Sequence, residues 1–143
     1  MSRAILDDHL LRDLLADDVS AGLGDVLAAH EPATTNLYLY RLSRSVVAAR
    51  GGALTGGWSG ERRRALGSRL LNLPDSIEVV PIRTISYRMA EIAADHRVST
   101  LGAECVAASE HLAGPLCVWD GDDGPRIRAA ITSLNLDYRT IAR

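Results

Sequence analysis

Across 143 residues the chain carries 18 acidic against 16 basic residues, a formal charge of −2, and 47% of its residues are hydrophobic. That length supports a single domain, residues 1–143, with a core that needs no disulfide or metal staple. The charge excludes bulk attraction to nucleic acid or a membrane surface, and because every basic residue is Arg, no mechanism can call on a lysine.

Arg3 to Leu6 reads as a buried strand, and Leu10, Leu11, Leu14 and Leu15 recur at helical spacing directly after Asp7 and Asp8. Residues 16–31 carry no clear period; the strongest local signal is a short strand around Val26 to Ala28. Thr34 or Thr35 is placed to cap a helix that runs through Leu37, Tyr40, Leu42, Val46 and Val47 to about Arg50. Gly51 to Gly60, with five glycines, reads as a flexible loop. Glu61 to Leu71 reads as a basic helix stopped before Pro74. Ile77 to Ile82 reads as a strand with Pro81 near its end, and Ile85, Met89, Ile92 and Ala93 mark the core face of the helix after it. A further helix spans Ser99 to Leu112.

Pro115-Leu-Cys-Val-Trp-Asp120-Gly-Asp-Asp-Gly124 is an apolar run that ends in three acids held among glycines. The helical pattern of Ile127, Ala130, Ile131 and Leu134 follows, then Tyr138 to Ile141, which together make a βαβ unit of a parallel sheet. The alternation predicts an α/β fold, a three-layer α/β/α sandwich with a mainly parallel central sheet. Ligands of such sheets collect beyond the carboxyl ends of the strands, which is where Asp120, Asp122 and Asp123 fall, and with them Asp7 and Asp8 after the first strand. Asp7 and Asp8 are also suited to cap the helix behind them.

Glu104 is an acid among Ala103, Val106 and Ala107; facing inward, it needs a metal or an arginine. Carboxylates gathered at one sheet edge describe a site for a hard cation, Mg²⁺ or Mn²⁺, that takes charged oxygen ligands. The four histidines show no zinc spacing with each other or with Cys105 and Cys117, which sit in apolar patterns as core residues. His9 reads as polar surface of the first helix. Arg62, Arg63 and Arg64 beside Trp58 offer an RNA contact in which guanidiniums hold phosphates and the indole stacks on a base. The opening residues form too short an apolar run for a signal peptide, and no apolar stretch reaches the roughly 18 residues of a membrane span. The expectation is a cytoplasmic protein with no membrane association.

Three segments carry a resemblance to the PIN-domain family, which includes the VapC-type toxin ribonucleases: Ile5-Leu6-Asp7 with Leu10-Leu11, Ala103-Glu104-Cys-Val-Ala-Ala-Ser109, and Leu112-Ala-Gly-Pro-Leu-Cys-Val-Trp-Asp120 followed by Asp122 and Asp123. The resemblance implies a metal site built from Asp7, Glu104 and Asp120, with Asp123 supporting it, and hydrolysis of RNA phosphodiesters that leaves a 5′-phosphate. It further implies a homodimer and, for members of the toxin type, inhibition by an antitoxin protein. PIN domains usually carry another glutamate early in the helix that here begins Thr35-Asn-Leu-Tyr-Leu-Tyr-Arg41, a segment with no acid. That departure keeps a second function open, a PIN-like module that binds RNA or protein without cutting. The opening Ile-Leu-Asp-Asp also resembles a phosphoryl-receiver domain, but that family relies on a lysine this chain lacks.

Overall fold

The computed structural model describes residues 1–48 and 52–143. Five strands form one all-parallel sheet: β1 (Arg3–Leu6), β2 (Glu31–Thr34), β3 (Glu78–Val79), β4 (Leu116–Trp119) and β5 (Tyr138–Ile141), in the order β3-β2-β1-β4-β5. Among the described residues seven α-helices surround it: α1 (Asp8–Leu15), α2 (Ala21–Ala29), α3 (Asn36–Val47), α4 (Gly60–Leu71), α5 (Ile82–His96), α6 (Thr100–Leu112) and α7 (Pro125–Ser133). The chain builds outward from β1 through β2 to β3, then returns to lay β4 on the other side of β1. The strand order therefore reverses between β1 and β4, the crevice where open parallel sheets bind ligands.

Alternation along the central strands sorts the core into layers. Ile5, Leu116 and Val118 face one side and pack with Ile85, Met89, Ile92, Val106, Ala107 and Ile131 of α5, α6 and α7. Ala4, Leu6 and Cys117 face the other and pack with Leu10, Leu23 and Val26 of α1 and α2. A third cluster of Leu11, Leu15, Leu42, Leu54, Leu66 and Ile77 joins α1 to α3 and α4. This is the three-layer sandwich that the pattern predicts.

Residues 16–31 depart from the expected strand at Val26 to Ala28. They form α2, capped by the Ser20 hydroxyl on the Leu23 amide, and the strand comes afterwards as β2. Gly22 and Gly24 depress helix propensity, yet α2 forms because its packing fits: a Cβ at Gly22 would lie 3.0 Å from Ile141 Cγ2. Pro32 disguises β2, since proline cannot donate to a ladder. It is accommodated because β3 meets β2 only from Ala33 on, so Pro32 has one strand neighbour.

The strand expected over Ile77 to Ile82 is shorter, Glu78–Val79, because Pro81 turns the chain into α5 at Ile82. Helix α3 starts at its Thr35 cap and ends at Val47. Ala49 and Arg50, at the end of the helix expected there, and Gly51, at the start of the glycine loop, lie outside the described residues. The rest of that loop is tied down: Ser45 Oγ accepts hydrogen bonds from the amides of Gly52, Leu54 and Thr55, at 3.1, 3.3 and 3.1 Å. No helix among the described residues is long and apolar enough to cross a membrane.

Gly114 marks the tightest approach of the sheet. A Cβ there would collide with the backbone carbonyl of Arg3, just where Pro115 accepts the Ile5 amide at 2.9 Å and β4 joins β1. Gly114→Ala is expected to cost about 3 kcal/mol, the upper end of the overpacking range because backbone must move. The check is the urea midpoint; a variant as stable as the parent would contradict this approach of β1 and β4.

Candidate metal centre

Asp7 is the first residue beyond β1 and the N-cap of α1. Its Oδ1 accepts the Leu10 amide at 2.9 Å and its Oδ2 the Trp119 amide at 3.0 Å, so one carboxyl caps a helix and ties β1 to the end of β4. Asp7 is buried, and burial pushes its pKa up to about 7, opposed by the Leu10 amide and reinforced by the charge of Asp8.

Asp8 is fully buried. Its Oδ1 accepts the His9 amide at 3.0 Å and lies 3.2 Å from His9 Nδ1. Its Oδ2 is buried with no hydrogen-bond partner, and Arg41 Nε stands 3.4 Å away as its countercharge. A buried oxygen left in this state is costly.

The turn after β4 closes over this pair. Residues 120–122 form a short 3₁₀ turn, and Gly121 is required because any Cβ would run into the Trp119 ring. That ring meets His9 at a tilt of 37° with centroids 4.6 Å apart, and Asp122 Oδ2 reaches to 3.8 Å from His9 Nδ1. Asp7, Asp8, His9 and Asp122 thus each present a ligand atom within 4.8 Å of the others. Three carboxylates and one imidazole suit a hard or borderline divalent cation. The Asp8 oxygen without a partner fits such an ion, as does the buried Asp7 carboxyl, whose ionised form a nearby positive charge would favour.

The other predicted site residues take different places. Glu104 is fully buried, with no arginine paired to it among the described residues: its Oε1 accepts the Leu37 amide at 2.8 Å, and its Oε2 accepts the Asn36 amide at 3.2 Å and Asn36 Nδ2 at 3.0 Å. The N-terminus of α3 supplies the compensating charge. Asp120 is exposed on the same sheet edge, at the head of the 3₁₀ turn, and like Glu104 falls outside the four-residue group. Asp123 accepts Arg128 NH2 at 2.8 Å and the Tyr138 hydroxyl at 2.7 Å. These bonds pull its pKa below the usual carboxylate value and pin the turn to α7 and β5.

The three arginines of α4 diverge. Arg62 lies over the Trp58 ring at 3.7 Å and pairs with Asp18 at 3.5 Å, Arg63 NH1 donates to the Ala48 carbonyl at 3.0 Å, and Arg64 lines an apolar cleft between α3 and α4. Cys105 and Cys117 are free and buried, and burial pushes both thiols up to about 12. His9 and Arg41 are the participants that periodicity does not flag. The one available signal is the unbroken Asp7-Asp8-His9 run at a strand end.

No protein-family model matches the chain, and no curated protein matches it. Among solved structures, the crystal structure of PAE2754 from Pyrobaculum aerophilum superposes with a TM-score of 0.52 at 15% identity, covering 90% of this chain and 84% of that one. The likeness supports the α/β sandwich.

The raised pKa of Asp7 sets a pH dependence. The unfolded chain releases this proton near 3.8 and the folded chain near 7. Between those values the folded state binds more protons, so the contribution of Asp7 to stability is fully present at low pH and lost as pH rises through 7. In EDTA, the loss of melting temperature between about pH 4 and pH 7 is expected to be smaller in Asp7→Asn than in the parent. Parallel profiles for the two proteins would contradict a protonated Asp7.

Proposed function

We propose that this chain is a PIN-type ribonuclease that hydrolyses RNA phosphodiester bonds with Mn²⁺ or Mg²⁺ held by Asp7, Asp8, His9 and Asp122. The observation that carries the reading is the buried Asp8 Oδ2, which has no hydrogen-bond partner and belongs to a group of three carboxylates and an imidazole at the switch point of a parallel sheet. When bound, such an ion supplies Lewis acidity and countercharge for a phosphate in transfer. Asp7 and Asp8 are held by α1 and by the end of β4, so their positions are set before any ligand arrives. His9 contributes a nitrogen, which favours Mn²⁺ over Mg²⁺. Asp122 and Asp120, exposed on the turn, are placed to complete the oxygen set directly or through water. Glu104 acts one step back by fixing the start of α3, the helix that carries Arg41.

A second reading, a protein-interaction module that does not cut, is favoured by the apolar cleft of about 450 Å³ between α3 and α4, where Val47 and Leu71 are 80% and 87% exposed. An antitoxin or a second copy of the chain is the kind of partner that the family resemblance implies.

Cleavage of end-labelled single-stranded RNA by the purified protein separates the two. Cleavage is expected with Mn²⁺, none with EDTA, and a loss of more than about 100-fold in Asp8→Asn, beyond the usual effect of removing a residue that merely supports a ligand. Equal cleavage by all three preparations would overturn the metal mechanism. No cleavage with RNA binding retained would favour the module.

A further inference from the structure

Beside the acidic group lies a cavity of about 120 Å³ lined by Arg41 and Arg44 of α3, by Ser45 and by residues 52–54. Arg41 and Arg44 are three residues apart and share a helix face. Arg41 belongs to both places, since it lines the cavity while its Nε stands 3.4 Å from Asp8 Oδ2. Arg44 is exposed and has no acidic partner among the described residues. The opposite wall is tied by hydrogen bonds. Buried Ser45 gathers the amides of Gly52, Leu54 and Thr55, and Arg12 NH1 donates to the Leu54 carbonyl at 2.7 Å.

Two arginines line this hollow in a chain of net charge −2, one of them paired with Asp8 and the other without an acidic partner among the described residues, a local basic feature that the bulk charge does not explain. Guanidinium groups match phosphate oxygens two at a time. We propose that this hollow is a phosphate subsite for a single nucleic-acid strand. It holds the phosphate next to the one at the acidic group, and Arg41 is shared between Asp8 and the strand. The inference rests on the nuclease reading for the identity of the strand, but it concerns binding and not cleavage.

The test is fluorescence anisotropy of a labelled single-stranded RNA with Ca²⁺ in place of Mn²⁺, over a series of salt concentrations, for the parent, Arg44→Gln and Arg41→Gln/Arg44→Gln. Each lost phosphate contact lowers the slope of log affinity against log salt by about 0.7 on a single strand. Arg44→Gln is therefore expected to bind several-fold more weakly with its slope reduced by about that amount, and the double variant to lose about twice as much slope. Arg3→Gln, at the amino-terminal edge of β1 where Arg3 pairs with Glu31 at 3.3 Å and Glu78 at 3.1 Å, removes the same charge away from the hollow and, once shown to be folded by circular dichroism, is expected to bind as the parent does. Arg44→Gln binding with parental affinity and slope would overturn the subsite, as would a parent that binds no RNA or an Arg3→Gln loss equal to that of Arg44→Gln. Arg44-dependent binding by a protein that never cleaves RNA would uphold the subsite and defeat only the nuclease reading.

Discussion

The Asp7 carboxyl is the joint on which this architecture turns. With one oxygen on the Leu10 amide and the other on the Trp119 amide, it ties the start of α1 and the end of β4 to the tip of β1, at the crevice where the strand order reverses. Everything at the carboxyl edge depends on that tie. It fixes Asp8 and His9 on the first turn of α1, brings Trp119 beneath the 3₁₀ turn, and lets Asp122 fold back toward His9. The cost is a buried acid beside another buried acid, a arrangement stable at neutral pH only if protons or cations neutralise it.

Glu104 performs a comparable task on the other flank. Its two oxygens collect two amides and a side-chain NH₂ from the beginning of α3, which locks α6 to the helix that presents Arg41 and Arg44. Acids that composition alone would assign to a cation are thus divided by geometry. Glu104 has its oxygens taken by the Asn36 and Leu37 amides and the Asn36 side chain, Asp123 by Arg128 and Tyr138 and Asp7 by the Leu10 and Trp119 amides, whereas Asp8 keeps a buried oxygen with no hydrogen bond. The proposed cation site is centred on that remainder, not on the number of carboxylates.

Much of this was legible in the residues because local pattern and tertiary context agree. Apolar runs at Arg3–Leu6, Leu116–Trp119 and Tyr138–Ile141, with helical spacing between the last two, mark the strands that build the crevice. The sequence failed where packing overrules propensity: α2 forms through two glycines, and β2 passes through a proline. The partners of the acids were illegible for a different reason. Whether Glu104 meets a metal or a helix end depends on how α6 crosses α3, and whether His9 is surface or ligand depends on the turn folding over Trp119, which no one-dimensional period encodes.

The central claim is that Asp8, and not Glu104, centres a divalent-cation site. Isothermal titration of the metal-free protein with Mn²⁺ tests it most directly, comparing the parent with Asp8→Asn and with Glu104→Gln, each first shown to be folded by circular dichroism. The account predicts a saturable Mn²⁺ site in the parent that is lost in Asp8→Asn and kept in Glu104→Gln. Binding that survives Asp8→Asn and disappears in a folded Glu104→Gln would contradict it.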